Sequence, residues 1–154
     1  MAIEDSINAQ VVTILEGLSG IGEVSNYEKS SFRAFPAATV TGSENESDFE
    51  GTQERQRIYA FSVKLYLEIL SDTQGGSGDG LKEGDIILRE LSDTVIDEFD
   101  KPANARFSGN ADTNAEKVIL VEPIPSAWDW DTERNMRVKE VIVRVMTHVN
   151  TALL

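Results

Sequence analysis

Cysteine is absent from this 154-residue chain. That excludes disulfides, thiolate zinc sites and thiol nucleophiles, and it fits a reducing compartment or an assembly made inside a cell. Histidine occurs once, as His148, so a histidine-based triad would have to use a residue near the end of a strand-like segment. Basic residues are few: 14 Lys and Arg stand against 27 Asp and Glu, for a net charge of −13. So acidic a surface repels nucleic acid in general, which argues against a sequence-reading DNA binder. It serves solubility, or it lets a protein sit beside DNA without adhering to it. No apolar run approaches the roughly 20 residues of a membrane span. MAIEDSINAQ lacks a basic n-region and an apolar h-region, which predicts no secretory signal and no membrane partner.

Motifs that carry chemistry are scarce too. No Walker loop, zinc signature or basic aromatic-laced patch is present. GLSGIG at 17–22 has Ile21 where a nucleophile elbow needs glycine, and its spacing does not fit a dinucleotide fingerprint. GGSGDG at 75–80 resembles a glycine-rich calcium repeat, but its Asp falls one place early and the unit occurs once, whereas such repeats need stacked copies. The alternating Trp128, Asp129, Trp130 and Asp131, with Glu133, lack the central Gly and distal Glu of an EF-hand loop. An Asp129 and Asp131 pair for glycoside hydrolysis has no visible source of a raised pKa. This inventory is that of a structural or interaction protein, with no catalytic or metal residue, and no cofactor is needed to explain its folding.

What is present is periodic. In RIYAFSVKLYLEIL, from Arg57 to Leu70, Tyr59, Phe61, Val63, Leu65, Leu67 and Ile69 recur at every second position, which predicts a long central strand with one buried face. Ile3, Ile7, Val11, Ile14, Leu15 and Leu18 fall at helical spacing, ended by Gly17 or Gly20. A second helix is predicted over 81–99, with a stripe of Leu81, Leu88, Leu91, Val95 and Phe99 broadened by Ile87 and Ile96, and with Asp79 as its N-cap. Gly84 should weaken its first turn. Strands are also predicted within 21–29 and 32–42. Val118, Ile119, Leu120 and Val121 read as a strand buried on both faces and ended by Pro123 and Pro125. MRVKEVIVRVMTHV is a second long strand, with Val141, Val143, Val145 and Val149 on one face and Val138, Ile142 and Met146 on the other. The order helix, strands, helix, strands gives an α+β class over one domain, 1–154: a mainly antiparallel β-sheet with two amphipathic helices packed on one face and a long β-hairpin arm.

Two segments are candidate contact sites. SENESDFEGTQERQ, 43–56, reads as an exposed acidic loop or hairpin tip, with Glu44, Glu46, Asp48, Glu50 and Glu54. Phe49 inside it either folds back on its own domain or anchors in a partner's pocket. Trp128 and Trp130 share one face of a hairpin, where they cover the end of the core or contact a neighbouring subunit.

FPAATV at 35–40, the acidic loop, RIYAFSVKLYLEI, LRELSDTVIDEFD at 88–100 and the final valine-rich strand together resemble the tail terminator and tail completion proteins of long-tailed bacteriophages. The resemblance covers most of the chain and rests on element order without an invariant motif. It implies a virion structural protein and no enzyme: a homo-hexameric ring at the head-proximal end of the tail, assembled in the host cytoplasm. Such a ring caps the tail tube protein, stops its polymerisation and offers a docking surface to a head completion or neck protein. A closed ring uses heterologous contacts, one face of each subunit meeting a different face of the next. DNA would pass through without specific binding, and Glu44, Glu46, Asp48 and Glu50 are the acids expected to face the channel.

The alternative in the same class is a head-tail connector, which is also a ring of small α+β subunits. From other classes come an acidic DNA-mimicking inhibitor, which predicts a tight basic partner, and a small hydrolase using Asp129, Asp131 or His148, which predicts turnover lost on their substitution.

Overall fold

A computed structural model describes residues 2–49, 53–68, 79–131 and 135–154. It contains α1 (Ile3–Glu16), β1 (Glu23–Ser25), β2 (Ala37–Phe49), β3 (Glu54–Glu68), α2 (Asp79–Asp100), β4 (Glu116–Asp131) and β5 (Met136–Asn150). The five strands form one sheet in the order β1-β2-β3-β5-β4. β1 runs parallel to β2, and every other pairing is antiparallel. The fold is thus α+β, and the stretch singled out by its alternation is the middle strand.

Both helices pack on one face of that sheet. Ile3, Ile7, Val11 and Leu15 of α1 and Leu88, Leu91, Val95 and Phe99 of α2 share a core with Tyr59, Phe61, Val63 and Leu65 of β3 and Val141, Val143 and Val145 of β5. Each fully buried side chain of this size contributes about 1.5–3 kcal/mol. α1 has Glu4 and Asp5 in its first turn, where the helix dipole favours them, and Gly17 caps its C-terminus. α2 begins at Asp79 itself. Gly84 is buried, and a Cβ placed there would lie 3.5 Å from Leu67 Cδ2, so the glycine marks where helix and central strand run close together.

Several sequence expectations need correction. Of the two readings of the acidic segment, the hairpin holds and the loop does not: β2 continues through Gly42 to Phe49 and β3 starts at Glu54, with a register shift between Gly42 and Asn45. A hairpin register outweighs the low strand propensity of Glu, Asn and Asp because the partner strand is long and regular. β4 is not buried on both faces. It is the edge strand, and its Ile119 and Leu120 are 37% and 43% exposed. Nor do Pro123 and Pro125 end it, since an edge strand tolerates prolines whose missing N–H would point away from the sheet. Ile87 is 44% exposed and does not belong to the buried stripe of α2.

The polar stretch 103–115 hides a second anchor. Phe107 and Ala111 are buried in the main core, and the Val118 N–H donates to Asp112 Oδ1 at 2.9 Å. A short 3-10 turn at Phe107–Gly109, with positive φ at Phe107 and Ser108, places that ring. No periodic pattern announces a single buried aromatic held by a turn.

Candidate interface

Charge is segregated between the layers. α1 carries Glu4, Asp5 and Glu16 without Lys or Arg, and α2 carries eight acids against Lys82 and Arg89, so the two helices account for nine of the thirteen net negative charges. The two central strands are the reverse: β3 and β5 carry six bases against Glu54, Glu68 and Glu140.

Among the described residues, the face of the sheet opposite the helices is covered at one end only. There Phe32 and Phe35 pack on Ala37, Tyr66, Met136 and Val138, with the Phe32 and Tyr66 rings 4.9 Å apart. The covering loop is pinned by Tyr66, whose hydroxyl donates to Glu28, and by Glu23, which accepts from the Lys29 ammonium and, at 2.7 Å, from the Arg33 N–H. Those donors hold the Glu23 carboxyl below its usual range, the Lys29 hydrogen bond most of all.

Beyond that loop the face is open, and the strand register sets it out in rows. Ile58, Met146 and Leu120 form one row across β3, β5 and β4; Ala60, Arg144 and Glu122 form the next; Ser62, Ile142 and Ile124 form the third. Lys64 and Glu140 follow. An open face of an antiparallel sheet ordinarily carries polar residues, so the first and third rows depart from the pattern. Ile58, Leu120, Glu122, Arg144 and Met146 line a shallow hollow. Glu140 is held by Ser62 Oγ at 2.5 Å and Ser126 Oγ at 2.8 Å. Lys64 and Arg144 make no hydrogen bond or ion pair among the described residues.

The helix face of the same strands ends in a buried polar cluster. Glu116, 4% exposed, accepts from Tyr59 Oη and Thr147 Oγ1, each at 3.0 Å, and from Arg57 Nη1 at 3.4 Å. Burial pushes the Tyr59 hydroxyl above its ordinary value, and hydrogen bonding with Tyr59 pushes the Arg57 guanidinium up. Arg57 and Tyr59 of β3 and Thr147 of β5 all donate to the Glu116 carboxylate of β4, which makes the cluster a tie between three strands.

The residues picked from the sequence are placed as follows. Trp128, opposite Lys139 on β5, is half-buried against the core, with Lys139 Nζ 4.9 Å and Arg137 Cζ 5.2 Å from its ring centroid. Arg137 Nε also donates to Asp85 Oδ1 of α2 at 2.8 Å. Trp130 stands opposite Arg137, Glu46 opposite Ile58, Asp48 opposite Gln56 and Phe49 opposite Arg55; Glu44 lies in the register shift. The side chains of these five lie outside what the structure describes, and Glu50 and Glu133 lie outside the described residues altogether. Glu54 Oε1 is 3.7 Å from His148 Nε2, the ring of which is half-exposed. Asp129 is exposed on the edge strand, far from being paired with His148, which lies at the opposite end of the β4–β5 hairpin. No group of three or more His, Cys, Asp or Glu that could hold a metal occurs among the described residues, and no helix among them is long and apolar enough to cross a membrane. The rows of the open face were missed in the sequence. Their signal was Ile142 and Met146 in the second apolar set of the last strand, which no helix among the described residues covers, whereas Val138 of that set lies under Phe32 and Phe35.

No protein-family profile matches the chain, and no curated protein does. Solved structures do. The chain is similar to one from the virion of a native gene transfer agent particle, with a TM-score of 0.56 and 10% sequence identity, over 96% of this chain and 98% of that one. It shares the fold of a virion component. The match runs nearly end to end in both chains.

Proposed function

We propose that this protein is a virion structural protein, a tail terminator that forms a ring on the head-proximal end of a tail tube, stops its growth and presents a docking surface to the head or neck. The observation that carries this reading is the near end-to-end fold likeness to a virion chain. Shared architecture alone does not fix a role, because one fold hosts many functions. The sequence resemblance to the terminator family supplies the narrower part. Strong acidity suits a ring through which DNA must pass without adhering.

In this reading the subunit is one domain, the partners are further copies of itself, a tube protein and a head or neck protein, and no cofactor takes part. Growing tail tubes in the presence of the labelled protein tests it. A terminator fixes tube length and decorates one end of each tube. Tubes that keep growing, with label along their sides or nowhere, would refute the role, and label bound only to isolated heads would transfer it to a head-tail connector.

A further inference from the structure

We propose that the open face of the sheet in one copy is the seat for the outward face of α2 in the next copy, Ile86 packing over the row of Ile58, Met146 and Leu120 while Glu90 meets Arg144. This rests on the ring reading and names the two surfaces that would join its subunits.

The two surfaces complement each other in polarity and in spacing. On α2, Leu88, Val95 and Phe99 face the core, which turns Ile86, Glu90, Asp93 and Asp97 outward, and all four are exposed. Ile86, at 39%, and its neighbour Ile87 are the exposed large apolar residues of the helix among those described. On the sheet, Leu120 is the most exposed member of an apolar row that ends at Ile58, and the next row brings Arg144. Ile86 and Glu90 are about 6 Å apart along a helix rising 1.5 Å per residue. Adjacent same-face rows of a strand are about 7 Å apart, so a helix lying along the strands with Ile86 over the first row carries Glu90 over Arg144. Asp97, about 17 Å beyond Ile86, then approaches the Lys64 row, about 20 Å beyond the first.

Charge selects the occupant. The seat carries two cations, Arg144 and Lys64, without ion-pair partners among the described residues, beside Glu122 and the serine-held Glu140, and the helical layer of the same chain carries most of its surplus acid. Packed helix to helix, two copies would set acid against acid, whereas packed sheet to helix the α2 acids meet Arg144 and Lys64. That sheet-to-helix pairing is heterologous. Because the two surfaces lie on opposite sides of a two-layer subunit, the contact runs head to tail from copy to copy, and on the ring reading the rotation at each step closes it.

Cysteines engineered into a chain that has none test the pairing. Carried together, Leu120→Cys and Ile86→Cys should give under mild oxidation a ladder of disulfide-linked species ending at the ring, whereas either substitution alone should give no link. Arg144→Glu should raise the dissociation constant of the subunit contact at least about tenfold, and adding Glu90→Arg should restore it. Leu120→Cys alone dimerising would overturn the pairing in favour of sheet-to-sheet packing. A disulfide from Leu120→Cys to a tube subunit would overturn it in favour of that occupant. Rings that form without the double-cysteine ladder would overturn the pairing and leave the ring reading standing, whereas a chain that stays monomeric with and without tubes would overturn both.

Discussion

Tyr59 Oη lies 3.0 Å from the Glu116 carboxylate, so a β3 hydroxyl donates to a β4 carboxylate across the intervening β5. Thr147 of β5 donates to the same oxygen at 3.0 Å, which makes Glu116 the common acceptor of the two central strands. A buried carboxylate deprived of a donor carries most of its desolvation penalty. Tyr59→Phe should therefore cost about 1–3 kcal/mol by urea unfolding. Combined with Glu116→Gln it should cost less than the sum of the two singles, as coupled neighbours do. Additivity would show that the cluster is not energetically connected.

The same hydroxyl gives a pH dependence with a definite sign. Its folded value is raised, by burial first. The folded state then holds the phenolic proton more tightly than the unfolded chain, so the contribution is complete below the unfolded value near 10 and is lost as pH rises through the folded one. Stability measured from pH 9 to 11 should fall more steeply for the native sequence than for Tyr59→Phe. Parallel curves would show that burial of this group has no linked energetic effect.

Two glycines should respond oppositely to alanine. At Gly84 a Cβ would meet Leu67 Cδ2 at 3.5 Å, an ordinary contact, so Gly84→Ala should stabilise by up to about 1 kcal/mol through helix propensity. At Gly22 a Cβ would lie 2.9 Å from the Ala34 Cβ, and the Gly22 N–H donates to Pro36 O at 2.8 Å. Gly22→Ala should therefore loosen the loop that covers Tyr66 and lower the melting temperature. The two melting curves, compared with the parent, check both signs.

The sheet was legible where its pattern is cooperative. Alternation of Tyr59, Phe61, Val63 and Leu65 revealed the central strand, and both helices follow their apolar stripes, because in each case one face meets core and the other meets water. What composition concealed was decided by neighbours. Glu44 to Phe49 became strand because β3 lies beside it, and Pro123 and Pro125 stayed in strand because nothing lies beside them. Ile87 was assigned to the core from hydrophobicity, yet its position on the helix turns it to solvent. The open face was hidden for a related reason: the sequence puts Ile142 and Met146 on the second face of the strand, and only the topology shows that no element among the described residues covers them.

The acids of the β2–β3 hairpin give a functional prediction. If Glu44, Glu46, Asp48 and Glu50 face a channel, their replacement by Gln should leave ring assembly and tail length unchanged while impairing DNA passage, read as infectivity of the assembled particles. Full infectivity with all four neutralised would remove these residues from the channel.

The central claim is a ring, and mass in solution tests it most directly. Light scattering on the purified protein, alone and with tail-tube protein, should give six copies of the 17.0 kDa chain, or a 17.0 kDa monomer that becomes a six-fold ring on tube ends. A monomer that persists at high concentration and ignores tubes would contradict the account and favour the DNA-mimicking inhibitor or the enzyme.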